Sequence, residues 1–374
     1  MRSPWVLQLC HSHSGPFLEV ARQYAALFRD TPFKVLTVYL TGAPTEEARA
    51  DSASDKVVFL DYTSKQIRSL KLNAIRSVRK IAASHDTPFS FIIAHRFKPI
   101  YIACLATKLP IIGTHHAFGD YNRLQRRWFA RLFRERLTLL GVSDAVRDDI
   151  RKNLPGWPPE RIETLHNRID VDALRARLLS REDARARLAL PQEATVIANA
   201  GRLHPDKDQA TLLKGFAEAL PRLPAETLLV IAGSGALEDN LKALAQKLNI
   251  ADYVRFLGQI PDARRYFRAF DLFALSSDHE PFGLVLLEAM AADVPILATD
   301  CGGAPEVVGD PEQLFPLGAS TKLAEKLVDF LTCQEKTRLA AITQRNNCRL
   351  RENFTDDIAR ETFLNLPMIR RLLP

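Results

Sequence analysis

No stretch of this sequence approaches the roughly 20 consecutive apolar residues that a membrane-spanning helix needs. The apolar opening at residues 5–10, WVLQLC, is also too short for the centre of a secretory signal, so no export leader is expected. Cysteine is scarce. Cys10, Cys104, Cys301, Cys333 and Cys348 are scattered, odd in number and never in a Cys-x-x-Cys spacing. This argues against a disulfide frame or a cysteine zinc site and suits a reducing compartment. Low-complexity tracts and internal repeats are missing too. The expectation is a soluble cytoplasmic protein, or one peripheral on the inner face of the cytoplasmic membrane.

What is present is length and an uneven charge. A chain of 374 residues is too long for one ordinary core and suits two domains. Residues 1–175 carry 27 Lys+Arg against 17 Asp+Glu, while residues 176–374 carry 24 against 27. The basic half should face an anionic surface or substrate. Both halves alternate short apolar, β-branched runs with helical patterns, the signature of doubly wound parallel α/β sheets. Strands are expected at 5–10, 34–39, 57–60, 91–94, 111–114 and 138–142, then at 195–201, 227–232, 254–256, 272–275 and 296–298. Helices are expected at 18–28, 66–83, 121–136, 209–220, 237–248, 264–270, 283–291 and 320–332. The Arg-rich stretch 172–190 reads as helical and is placed at the junction. The expected domains are 1–175, 176–350, and a segment 351–374 packing back on the first. Ligands of such sheets sit beyond the C-terminal ends of the strands, here in a cleft between domains.

Glu280 and Glu288 frame the most informative segment, Glu280-Pro281-Phe282-Gly283-Leu284-Val285-Leu286-Leu287-Glu288. A lone glutamate in so apolar a run is costly to bury unpaired, which points to a ligand with hydroxyls or donors. A helix opening at Gly283 would turn its first amides toward the same loop, ready for an anion. Gly201-Arg202-Leu203-His204-Pro205-Asp206-Lys207 follows an expected strand. Arg202 and Lys207, five apart, could clamp a diphosphate or simply be solvated surface cations. Ala232-Gly233-Ser234-Gly235, Phe256-Leu257-Gly258 and Asp300-Cys301-Gly302-Gly303-Ala304-Pro305-Glu306 add glycine loops that could meet a nucleotide or only make turns.

In the first half, adjacent His115 and His116 end a strand and should point to opposite faces, so they are not a chelating pair. His11 and His13 end the first strand beside Ser14-Gly15, without acidic or cysteine partners at metal-ligand spacing. No metal site is expected. The segment from Tyr121 to Arg136 holds six arginines and one acid. At helical spacing Leu124, Trp128, Phe129 and Leu132 form one stripe, which suits either an anionic membrane surface or a core-packed helix with a solvated basic face.

Taken in order, the paired glutamates at 280 and 288, the Gly-Arg…Lys clamp at 202 and 207, and the AGSG, FLG and GG-x-P-E elements resemble retaining glycosyltransferase family 4, the glycosyltransferase group 1 family. The resemblance is strongest over residues 198–308 and traceable through 111–170. It implies a GT-B architecture, two Rossmann-like domains facing across a cleft. It further implies sugar transfer from a nucleoside-diphosphate sugar without metal or other cofactor. Under it Glu280 would hold donor-sugar hydroxyls and Glu288 the ribose. Arg202 and Lys207 would stabilise the leaving diphosphate. His116 would lie near the reacting sugar, with His115 as fallback. Donor contacts would come from Gly15, Gly233, Gly235, Leu257, Phe282, Gly283 and Leu284. Two departures stand out: Ser14-Gly15 replaces the usual glycine pair, and Asn167-Arg168-Ile169-Asp170 lacks the usual glycine after asparagine.

The acceptor expected is a glycan or glycolipid, in lipopolysaccharide core or related envelope synthesis, with a soluble acceptor as the alternative. A GT-B phosphorylase, a sugar-nucleotide epimerase and an inactive nucleotide-binding partner subunit are the competing readings. Nucleic acid is not an expected partner, because the basic residues are not interleaved with base-stacking aromatics.

Overall fold

A computed structural model describes residues 3–68, 70–332 and 336–372. Cys333 lies outside them. The chain divides into two compact units, residues 1–166 with 356–374, and residues 167–355. The division falls nine residues before the expected boundary at 175/176.

The first unit is built on a seven-stranded parallel sheet. Its strands are β1 (Trp5–Ser12), β2 (Lys34–Thr41), β3 (Lys56–Phe59), β4 (Phe89–His95), β5 (Ile111–His115), β6 (Leu137–Gly141) and β7 (Ile162–Thr164), in the order β3-β2-β1-β4-β5-β6-β7. Every residue of β5 and β6 is buried, as expected of strands covered on both faces. The second unit holds a six-stranded sheet in the order β10-β9-β8-β11-β12-β13. Here β8 is Thr195–Ala200, β9 Thr227–Ala232, β10 Val254–Gly258, β11 Leu272–Leu275, β12 Ile296–Thr299 and β13 Leu314–Phe315. In each sheet the first strand sits inside, paired on both sides: β1 between β2 and β4, and β8 between β9 and β11. The strand order reverses there, leaving a crevice at the C-terminal strand ends.

Several expected helices change. The stretch 172–190 is two helices, Val171–Arg177 and Arg181–Arg187, because the Ser180 hydroxyl accepts from the Asp183 amide and opens a new one. Its arginines are anchors: fully buried Arg185 pairs with Asp271 at 2.8 Å, and Arg181 holds the other carboxylate oxygen at 2.6 Å. The helix expected from 66 begins at Leu72, after Lys71 takes a left-handed conformation. Residues 264–270 form a 3-10 turn (Ala263–Ala269), and the helix expected over 121–136 is confined to Leu124–Leu132. Edge strands β7 and β13 are too short to show as apolar runs.

The C-terminal helix Asp356–Asn365 supplies Ala359 and Phe363 to the core of the first unit, beside Phe28, Phe33 and Phe91. The Phe363 ring meets Phe28 edge-on, centroids 5.6 Å apart. Phe363→Ala should cost about 3–5 kcal/mol, the range for emptying an aromatic site in a packed core. Denaturant unfolding checks this, and a loss under about 1 kcal/mol would show that the helix is dispensable.

Candidate active site

In the second unit the switch point between β8 and β11 is bridged by charge. The chain leaving β8 makes a 3-10 turn over Pro205–Lys207, and the loop leaving β11 carries Glu280. Lys207 Nζ lies 2.7 Å from Glu280 Oε2, with both side chains largely buried. The Ser277 hydroxyl donates to the same oxygen at 3.2 Å, while the Phe282 amide is 3.5 Å from Oε1. Oε1 thus keeps room for a ligand hydroxyl. An ammonium has three donors, so Lys207 can hold Glu280 and still bond an incoming anion. Arg202 stands differently. Its side chain is 69% exposed and touches Asp206 Oδ2 at 3.1 Å, a surface pair worth little to stability.

The loops around this pair are tied through their backbones. The Asp278 amide donates to Asp206 O at 3.1 Å, and the Ser276 hydroxyl to Lys207 O at 3.0 Å. The Gly303 amide donates to Glu280 O at 2.8 Å, joining the β12 loop. On the other side the Leu203 amide donates to Ser234 O at 3.0 Å and the Gly233 amide to Gly258 O at 2.7 Å. Two glycines follow from this crowding. A Cβ on Gly233 would fall 1.8 Å from Gly201 O, and one on Gly235 2.3 Å from Leu203 O. Both serve loop-to-loop contact, a role their sequence context did not reveal.

Glu288 revises the expectation of a costly buried charge. It lies on the helix Leu284–Ala291 with its side chain 22% exposed, and Arg264 Nε comes within 4.0 Å. Its apolar neighbours Leu286, Leu287, Ala289 and Met290 face the core, and Glu288 does not. Gly283 caps this helix at φ 100°, a left-handed conformation suited to glycine. Leu284 and Leu257 are half-buried, whereas the Phe282 side chain is core, 2% exposed against Phe354. Any Phe282 contact with a ligand would come from its backbone.

In the first unit, Gly15 stands at φ 57° before the helix Pro16–Ala26, with no atom within 4 Å of where a Cβ would be. At the start of the second unit, Arg168 has a negative φ and is 1% exposed, so the 167–170 loop does not use the left-handed residue that glycine would permit there. The two histidines part as adjacent strand residues should. His115 is fully buried, its Nδ1 2.7 Å from Asp120 Oδ2 and its Nε2 3.2 Å from the Tyr121 hydroxyl. His116 stays partly exposed, 3.3 Å from the Thr114 hydroxyl and 3.4 Å from His95 Nδ1. Burial pushes the His95 pKa down to about 3. Burial, then the neighbouring charges of His95 and Arg96, hold His116 well below 6.5. A neutral imidazole there can hydrogen-bond a hydroxyl without adding charge.

Four residues of these sites escaped sequence reading: Ser277, Asp206, Arg264 and His95. Only Asp206, between the two cations, had a local signal. His95 ends β4 as His115 ends β5, a parallel visible once the strands are placed.

The buried histidines predict acid lability. Below about pH 6.5 the unfolded chain binds protons that folded His95 refuses, so stability is intact above that pH and falls beneath it, by roughly 1.4 kcal/mol per pH unit. His95→Gln should flatten this fall, as urea midpoints between about pH 7 and 5 would show. An unchanged pH profile would contradict the buried neutral state.

Two units of this kind, each with a strand-order reversal and the second with a charged crevice, define a GT-B protein. Sequence comparison gives the family. Residues 9–173 match Glycosyltransferase Family 4 and residues 180–346 match Glycosyl transferases group 1. The chain belongs to this glycosyltransferase family. It is 37% identical over 162 residues to a D-inositol 3-phosphate glycosyltransferase of Streptomyces scabiei, a match covering 41% of this chain and 36% of that protein. The chain thus spans about a third of the length of the curated relatives it matches. Among solved structures, a glycosyltransferase of Rickettsia africae superposes with TM-score 0.84 at 16% identity, over 100% of this chain and 99% of that one. Anabaena HepE in complex with UDP and glucose superposes with TM-score 0.77 at 22% identity, over 96% and 98%. At these identities the likeness is one of fold.

Proposed function

We propose that the protein is a retaining, metal-independent glycosyltransferase that moves a sugar from a nucleoside-diphosphate sugar to a glycan or glycolipid acceptor. The observation that carries this reading is the Lys207–Glu280 pair across the β8/β11 switch point, with Arg202 exposed beside it. Glu280 Oε1 would receive a donor-sugar hydroxyl. Lys207 and Arg202 would take the charge that grows on the diphosphate as the bond from the anomeric carbon to its phosphate oxygen breaks. The acceptor hydroxyl would attack from the same face, forming the new C–O bond and passing its proton to the departing phosphate. Glu288 and Arg264 would face the nucleoside, and in the first unit neutral His116 would offer a hydrogen bond to a substrate hydroxyl. Two cations do here what a metal ion would otherwise do.

The basic excess of residues 1–175 supports an anionic acceptor. A phosphorylated envelope glycolipid such as lipopolysaccharide core is one. An inositol phosphate, named in the curated relative, is another. Incubation of each with UDP-, GDP-, ADP- and dTDP-sugars should give product with one pair, with the donor's anomeric configuration kept by NMR and turnover unchanged by EDTA. Glu280→Gln, wherever unfolding curves show that it folds, should lower kcat/KM by about a hundredfold. An inverted product, EDTA-sensitive turnover or a near-normal Glu280→Gln enzyme would refute this account. Donor epimerised without acceptor, or a glycoside cleaved by phosphate, would favour the related reactions instead.

A further inference from the structure

The Leu124–Leu132 helix is built inside out. Phe129 turns inward onto Phe97, Tyr101 and Phe133, and Ala130 is fully buried, so the stripe read from the sequence loses Phe129. Leu124, Trp128 and Leu132, at four-residue spacing, are instead 69%, 73% and 77% exposed. The six arginines divide by role. Arg126 binds Asp120, Arg127 reaches the Asn153 side chain, Arg136 caps carbonyls at 104 and 109, and Arg134 pairs with Glu135. Arg123 and Arg131 remain exposed, with no partner among the described residues, one position before Leu124 and Leu132.

A second element lies alongside. Lys71 Nζ sits 4.7 Å over the Tyr101 ring, which packs on Phe129, and its neighbours Leu70 and Leu72 are 65% and 53% exposed. Three of the seven large apolar side chains exposed among the described residues thus sit on this one helix, and Leu70 and Leu72 flank a lysine that reaches the Tyr101 ring behind it.

We infer that this face docks on an anionic lipid bilayer. A narrow apolar ridge with a tryptophan, edged by free arginines, suits the boundary between headgroups and acyl chains, where apolar burial and attraction to anionic lipid add. A second copy of the chain is a poor occupant. Three side chains fall far short of the roughly 800 Å² each partner gives a stable dimer, and facing copies would bring their arginines together. This deepens the proposed reading by placing the acceptor at a membrane, yet it is tested without donor or acceptor. Failed vesicle binding leaves the transferase reading standing, and failed turnover leaves this one.

The full chain is mixed with phosphatidylcholine vesicles, with and without about one-third phosphatidylglycerol, at low salt, and pelleted. Anionic vesicles should retain the protein and shift its tryptophan emission to the blue. The shift should largely vanish in Trp128→Phe, since Trp157 is buried and half-buried Trp5 is packed on His85, while retention persists. The double variant Trp128→Ser/Leu132→Ser should partition about tenfold more weakly, and Arg123→Ser/Arg131→Ser should lose most of the salt dependence. Retention unaffected by either double variant overturns the inference. So does an absence of vesicle binding, with or without a concentration-dependent dimer that Trp128→Ser/Leu132→Ser dissolves.

Discussion

Lys207 and Glu280 meet across the junction at which the second sheet reverses its strand order, and the surrounding loops are arranged to keep them there. Stability alone does not account for the pair. Burying two charges is costly, and an apolar pair of similar volume serves a fold equally well, whereas removing one partner alone costs about 3–5 kcal/mol. Under the proposed function the pair acts through its spare hydrogen bonds. Its Oε1 face and two remaining ammonium protons are oriented before any ligand arrives, which is the condition for electrostatic stabilisation without reorganisation.

The glycines serve this constraint indirectly. Gly233 and Gly235 let the β9 loop press against the β8 loop, and Gly303 carries the β12 loop against Pro281 and Phe282. Five strand ends are thereby joined through backbone hydrogen bonds, and Arg202, exposed and held by Asp206 alone among the described residues, is the cation at their edge. The first unit follows a different strategy. Its strand ends place a neutral histidine pair, His95 and His116, where the second unit places charge.

Much of this was legible in the sequence, for physical reasons. Parallel strands buried on both faces read as apolar runs, so β1, β5, β9 and β11 stand close to where their residues imply. Edge strands β7 and β13, of three and two residues, leave no such trace. Arg202, Lys207 and Glu280 were visible because each charge follows an apolar strand closely enough to lie at its C-terminal end, where such sheets bind ligands. The partner of Glu288 was not, since Arg264 lies 24 positions earlier and only the fold brings it near. Helical spacing placed Phe129 with Trp128, but a spacing argument cannot tell which side of a short helix faces the core. The aromatic pocket of Phe97, Tyr101 and Phe133 decides that.

The central claim, that the β8 and β11 loops form a diphosphate-sugar site, is tested most directly by calorimetric titration with free UDP, GDP, ADP and dTDP. One nucleotide should bind without added metal. Arg202→Met, an exposed change that leaves the fold intact, should weaken it about tenfold, as should Lys207→Met wherever unfolding curves show that it folds. Equal affinity in wild type and both variants, or no binding by any of the four, would contradict the account.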